Sequence, residues 1–235
     1  WRGLKRLQER FKGMDIGLRY RGSWDLITHD ETALLPDLKD KLEVLNRETE
    51  RITGESNCFT YDETISDRCG FGNIHGGFYN RLEGELHTGK LLLATTHQLA
   101  AANIITLHGV DAYDLESTST GVTVLTNYGE LKAAKVGITI NGFAGKFLND
   151  SRISPARAQV IVTSPIPGFD LPGTFHYQQG YYYFRAVDNR LLLGGGRNLD
   201  FTGETTAEFA NTQQIVHSLE EMISKVILPA KDIRI

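Results

Sequence analysis

Phe175-His176-Tyr177-Gln178-Gln179-Gly180-Tyr181-Tyr182-Tyr183-Phe184-Arg185, and after it Leu191-Leu192-Leu193-Gly194-Gly195-Gly196-Arg197, is the stretch on which the fold turns. Short runs of aromatic and branched side chains bounded by glycine read as β-strands, and Asp188-Asn189 reads as the hairpin turn between two of them. Side chains alternate across a strand, so Tyr181 and Tyr183 share one face while Tyr182 and Phe184 share the other. That many rings cannot all face water. One face is expected to pack on helices, and the other to wall a planar cofactor or a substrate. With 159–163 and 175–178 added to 181–186 and 191–194, the spacing predicts an antiparallel sheet. The triple glycine has two readings, a phosphate-binding loop or a strand end where another group packs closely. Asn198-Leu199-Asp200-Phe201 is not a helix start, which favours the strand end.

Upstream, the pattern changes. Leu4, Leu7 and Phe11 predict a helix stopping at Gly13, and Ile16, Leu18 and Tyr20 predict a strand that bends at Gly22 and resumes at Trp24 and Leu26. Leu34, Leu38, Leu42 and Leu45 predict a helix over 31–47, and the polar span 48–75 reads as a long irregular connection. A helix opens at Thr88. Three β runs follow, at 112–116, around Val122 and Val124, and at 131–140. The last ends in Val136-Gly137-Ile138-Thr139-Ile140, an apolar run suited to a parallel strand buried on both faces. Thr205 and Glu208 form a capping-box pattern that predicts a helix running to Pro229, and 232–235 reads as the start of a further strand. The expected fold class is α/β plus antiparallel β (α+β), in two interleaved parts.

Composition narrows the function classes. The 235 residues carry a net charge of −4 and a pI near 6.0, with no Lys/Arg-rich run, so a nucleic-acid partner is not expected. Arg2, Lys5, Arg6, Arg10 and Lys12 interleave with apolar residues as the solvated face of an amphipathic helix. The seven histidines show no HExxH spacing, so no metal site is expected, and no GxSxG marks a hydrolase. Two cysteines without a pairing motif point to a reducing, cytoplasmic setting, and no apolar run reaches the roughly 20 residues a membrane helix needs.

Four stretches together resemble the D-amino-acid-oxidase-like family of flavoproteins, which includes glycine oxidase and sarcosine oxidase. They are Asp15-Ile16-Gly17-Leu18 with Gly22; Leu86-His87-Thr88-Gly89-Lys90-Leu91-Leu92 leading to Gly109-Val110-Asp111-Ala112; Gly129-Glu130-Leu131 through Asn141-Gly142-Phe143-Ala144; and Arg157-Ala158-Gln159-Val160 with 180–185 and 191–197. His87-Thr88 stand where the family usually has Asp-Pro. The resemblance implies a Rossmann-like FAD-binding portion (1–13, 76–150 and 200–235) interleaved with an antiparallel-sheet substrate domain (14–75 and 151–199).

It also implies FAD as cofactor, with Ala112, Thr139, Ile140, Asn141 and Gly142 beside the dinucleotide and Tyr181 orienting the substrate. The implied activity is oxidation of a small-molecule amino acid or secondary amine by hydride transfer to flavin. The family's GxGxxG loop is expected upstream of Trp1, and its carboxylate-binding arginine and final flavin turn are expected from near Ile235 onward. The alternatives are a non-catalytic or incomplete portion of such a flavoprotein that does not bind FAD alone and, on weaker grounds, a tRNA-modifying flavoprotein domain.

Overall fold

A computed structural model describes residues 2–150, 152–229 and 234. Helix α1 (Arg2–Arg10) and Gly13 beyond it match expectation. The strand expected through Ile16, Leu18 and Tyr20 does not form. Its backbone makes a bridge in which Arg19 and Glu85 exchange N–H···O bonds of 2.8 and 2.9 Å, and the Ile16 carbonyl accepts the His87 amide at 3.1 Å. Strand β1 (Ser23–Thr28) starts just after Gly22, and a 3-10 turn leads from it into α2 (Leu35–Thr53), longer than the expected 31–47. Gly54, left-handed at φ +78, stops that helix.

Residues 48–75 are not an irregular connection. They hold β2 (Phe59–Asp62), α3 (Ile65–Cys69) and the start of β3 (Ile74–Asn80). The Gly76-Gly77 pair in β3 is a place of close approach: a Cβ on Gly77 would meet the Trp24 ring at 3.2 Å. Next come α4 (Thr88–Ala101), β4 (Ala112–Thr118), β5 (Gly121–Thr126), β6 (Gly129–Ala133) and the short α5 (Ala144–Phe147). Then follow β7 (Gln159–Val162), β8 (Thr174–Tyr177), β9 (Tyr182–Val187), β10 (Arg190–Gly195) and α6 (Gln213–Met222), which continues as a π-helical turn over Ile223–Ile227.

The chain divides into two compact units. One comprises 1–94, 158–200 and 210–235, the other 95–157 and 201–209. Residues 1–13, 76–94 and 210–235, expected with the flavin portion, thus cluster with the sheet, because β3 pairs with β1 and α6 packs against β10. Of the strand expected at 232–235 only residue 234 is described; its carbonyl accepts a hydrogen bond from the Ser164 amide.

The first unit is built on a seven-stranded sheet in the order β2-β3-β1-β8-β9-β10-β7. Every neighbouring pair is antiparallel except β1 and β8, which run parallel, so the sheet is mixed rather than purely antiparallel. One face carries the core. Phe175 and Phe184 stack at 4.9 Å between centroids, Phe71 meets both edge-on, and Leu191, Leu193, Leu219 and Ile227 close around them. Each such fully buried side chain contributes about 1.5–3 kcal/mol. Trp24 joins this core and donates its indole N–H to the Pro172 carbonyl at 2.9 Å.

The second unit is a three-stranded antiparallel meander, β4-β5-β6. The strand expected over 131–140 stops at Ala133, and residues 134–140 belong to no strand. A ladder needs a neighbour, and no described strand lies beside 134–140. The helix expected from Thr205 and Glu208 starts only at Gln213. Glu204, fully buried, instead takes a two-pronged bond from Arg157 (3.0 and 2.7 Å), and the Glu208 amide donates to the Thr206 hydroxyl. Long-range pairing outweighs the local helix signal here.

Candidate functional site

Alternation sorts the sheet's side chains. Trp24, Phe175, Tyr182, Phe184, Leu191 and Leu193 point into the core, so Asp25, His176, Tyr183, Leu192 and Gly194 point to the other face. The strand registers bring Tyr61, Phe78, Asp25, His176, Tyr183, Gly194 and Val160 into one row across all seven strands. At about 4.8 Å per strand the row is roughly 29 Å long. Val160 and Val162 are 47% and 42% exposed on this side. It is the sheet's open face.

In the middle of the row, Nδ1 of His176 lies 3.0 Å from Oδ1 of Asp25, and the ring of Tyr183 lies over Gly194. The hydrogen bond to Asp25 holds the imidazole above its ordinary pKa; burial opposes this, and the charges of Asp25 and Glu83 add to it. Burial likewise raises the Tyr183 phenol. Near one end of the face, a solvent-open pocket is lined by Gly17, Arg19, Glu85, His87, Lys90 and Arg185. Its charges are largely matched: Lys90 pairs with Asp15 at 2.6 Å and Arg185 with the buried Glu85 at 3.6 Å.

Tyr181 sits in the turn before β9, 44% exposed and in phase with Tyr183. Its carbonyl accepts the Gly196 amide at 3.0 Å. The triple glycine ends a strand: Gly194 lies under Tyr183, Gly195 against the Tyr181 backbone, and Gly196 opens a 3-10 turn rather than an α-helix. The phosphate-loop alternative has no helix to stand on.

Ala112, Thr139, Ile140, Asn141 and Gly142 all fall in the second unit. Ala112 opens β4, and residues 139–141 are exposed and lead into a 3-10 turn, with Asn141 left-handed at φ +50. The residues at 112 and 139–141 are exposed, which leaves room for a dinucleotide beside them. The glycine at 142 already has an internal reason, because a Cβ there would stand 2.9 Å from Pro155 Cα. Among the described residues no group of His, Cys, Asp and Glu could hold a metal, and no helix is long and apolar enough to cross a membrane.

Sequence pattern alone assigns no role to Asp25 or to His176. A signal existed: each is a polar residue between two core-facing apolar ones, Trp24-Asp25-Leu26 and Phe175-His176-Tyr177. That they pair across 151 positions did not follow from the sequence.

The family model described as DAO, FAD dependent oxidoreductase, matches residues 1–235. The chain belongs to this family. FAD dependence is therefore a property of the DAO family to which it belongs. No curated protein matches the sequence. Among solved structures, glycine oxidase from Bacillus cereus ATCC 14579 is similar with a TM-score of 0.72 at 16% identity, covering 99% of this chain and 62% of that one. L-proline dehydrogenase from P. horikoshii gives 0.71 at 14% identity, with 98% and 61% covered. Iminodiacetate oxidase from Chelativorans sp. BNC1 gives 0.69 at 14%, with 99% and 63% covered. At these identities the likeness establishes the shared fold, mixed α/β with its interleaved sheet. The chain spans about three fifths of the length of these structures.

Proposed function

We propose that this DAO-family chain contributes the substrate wall, and part of the FAD site, of an enzyme that oxidises an amino acid or a secondary amine. The observation that carries this is the open sheet face, where polar and aromatic groups stand in register across adjacent strands while the opposite face is closed by core. The similar structures are named as oxidases and a dehydrogenase of amino acids or of iminodiacetate, which supports the same class. Bound FAD supplies the acceptor for a hydride from the carbon that bears the amine. Ala112 and Thr139 to Gly142 would hold the dinucleotide through the main chain, and Tyr181 would orient the substrate from the rim of the open face. The two free thiols, Cys58 and Cys69, suit a reducing cytoplasmic setting.

The test is the visible spectrum of the purified protein before and after incubation with FAD, followed by anaerobic mixing with a panel of amino acids and secondary amines. A flavin band that survives desalting and bleaches with one member of the panel is the expected result. A retained band that no amine bleaches sinks the activity. Because the chain spans three fifths of its structural neighbours, the second reading is a portion that does not bind FAD alone. A protein colourless after FAD addition selects that reading.

A further inference from the structure

We infer that His176, backed by Asp25, is the base that removes a proton from the substrate's ammonium group before oxidation. The inference rests on the open face being the substrate wall. A carboxylate only accepts hydrogen bonds, so the 3.0 Å contact with Asp25 places the proton of the neutral ring on Nδ1 and leaves a lone pair on Nε2. No described residue bonds Nε2. Tyr183, next in the row, leans the other way, over Gly194 on the far strand, and so does not cover the imidazole.

The charges around the ring suit a cationic visitor. Asp25 faces it from β1 and Glu83 from the loop before α4, while the Tyr183 phenol on β9 is turned away over Gly194. With two carboxylates beside it, this neighbourhood attracts an ammonium and accommodates the imidazolium formed from it. The hydrogen bond that raises the imidazole also makes it a stronger base, which narrows the gap to an amine. The transfer balances simply. One N–H bond of the ammonium breaks and its electron pair stays on nitrogen, while a new N–H bond forms at Nε2. No redox change occurs in this step. It leaves a neutral amine whose lone pair can support loss of hydride from the adjacent carbon.

The experiment uses the flavin-loaded full-length protein and an amino acid it oxidises. It records kcat/KM against pH for the wild type, His176→Gln and Asp25→Asn, and follows the His176 ring by NMR without substrate. In the wild type, kcat/KM should fall as pH drops through the raised imidazole value, because only the neutral ring can accept a proton. His176→Gln should lose about 100-fold at neutral pH. It should recover above the amine's own pKa, where the substrate arrives already neutral; a purely structural role gives no such recovery. Asp25→Asn should move the acid limb and the NMR titration of His176 to lower pH together. If His176→Gln fails to fold, Asp25→Asn alone carries the test: an NMR shift without a matching shift of the limb overturns the inference. It is overturned equally if the wild type oxidises an amine and His176→Gln keeps both its rate and its acid limb. A holoenzyme that oxidises no amine overturns the function reading and this inference with it, whereas the preceding outcomes overturn this inference alone.

Discussion

The phenol ring of Tyr183 lies over Gly194 on the neighbouring strand, so closely that a Cβ on the glycine would stand 2.6 Å from Cζ and Oη of the ring. Glycine at 194 and tyrosine at 183 are therefore one packing unit on the open face. The pairing explains why a strand of leucines ends in glycines.

Gly194→Ala should push the Tyr183 ring off the strand and destabilise the protein by about 1–3 kcal/mol, the usual cost of overpacking. Urea denaturation measures it. Combining Gly194→Ala with Tyr183→Ala should recover most of that loss, since the clash partner is gone. Equal stability of Gly194→Ala and wild type would show that the ring does not rest there.

Arg157 and Glu204 predict an asymmetry. The Glu204 side chain is 1% exposed and that of Arg157 is 15% exposed. Arg157→Ala takes a two-pronged partner from a buried carboxylate, whereas Glu204→Ala leaves a guanidinium that can reach solvent. Arg157→Ala should lower the melting temperature more. The reverse order in thermal melts would sink this account.

Cys69 should be chemically quiet. Burial raises its thiol to about 11, with Arg68 pulling it down less than burial pushes it up. Cys58 is buried, with its sulfur against the Glu55 carbonyl. Colorimetric thiol titration of the native protein at pH 7.5 should be slow, becoming complete only on unfolding. Rapid native labelling of either cysteine contradicts the burial.

The Asp25–His176 pair also links stability to pH. The folded-state pKa of His176 lies above the ordinary value of 6.5. Its contribution is therefore fully present below about pH 6.5 and is lost as pH rises through the folded value. Asp25→Asn should be less stable than the wild type in mild acid and close to it in alkali. A stability gap that is flat in pH excludes this coupling.

Gly142→Ala should damage the second unit whether or not FAD is bound, because the added methyl meets Pro155. Loss of FAD affinity with unchanged thermal stability of the FAD-free protein would instead mean that the glycine is kept for the cofactor.

Much of the architecture is legible in the residues themselves. Alternation in Tyr181 to Phe184 places two rings in the core and two outside it, and Asp188-Asn189 turns β9 into β10 with both residues left-handed. Helices α2 and α4 follow from apolar residues at helical spacing, although α2 runs beyond the expected residue 47 to Thr53. These are local properties, set by side-chain period and backbone sterics within a few residues.

What the tertiary structure decided lies where partners are distant. Gly77 keeps clear the space that the Trp24 ring, 53 positions earlier, occupies. Residues 134–140 carry the pattern of a buried strand but form none without a neighbouring strand to bond. Thr205 and Glu208 form a helix-start pattern, yet the chain turns there and Arg157 holds the neighbouring Glu204. Asp25 and His176 are ordinary polar residues until the one parallel strand pair of the sheet sets them 3.0 Å apart. Period and turn chemistry are written in neighbouring residues, so sequence alone determined strands β7 to β10 with their faces and the presence of helices α1, α2 and α4. Pairing depends on which surfaces meet after the chain closes loops of 50 to 150 residues, and only the folded structure decides that.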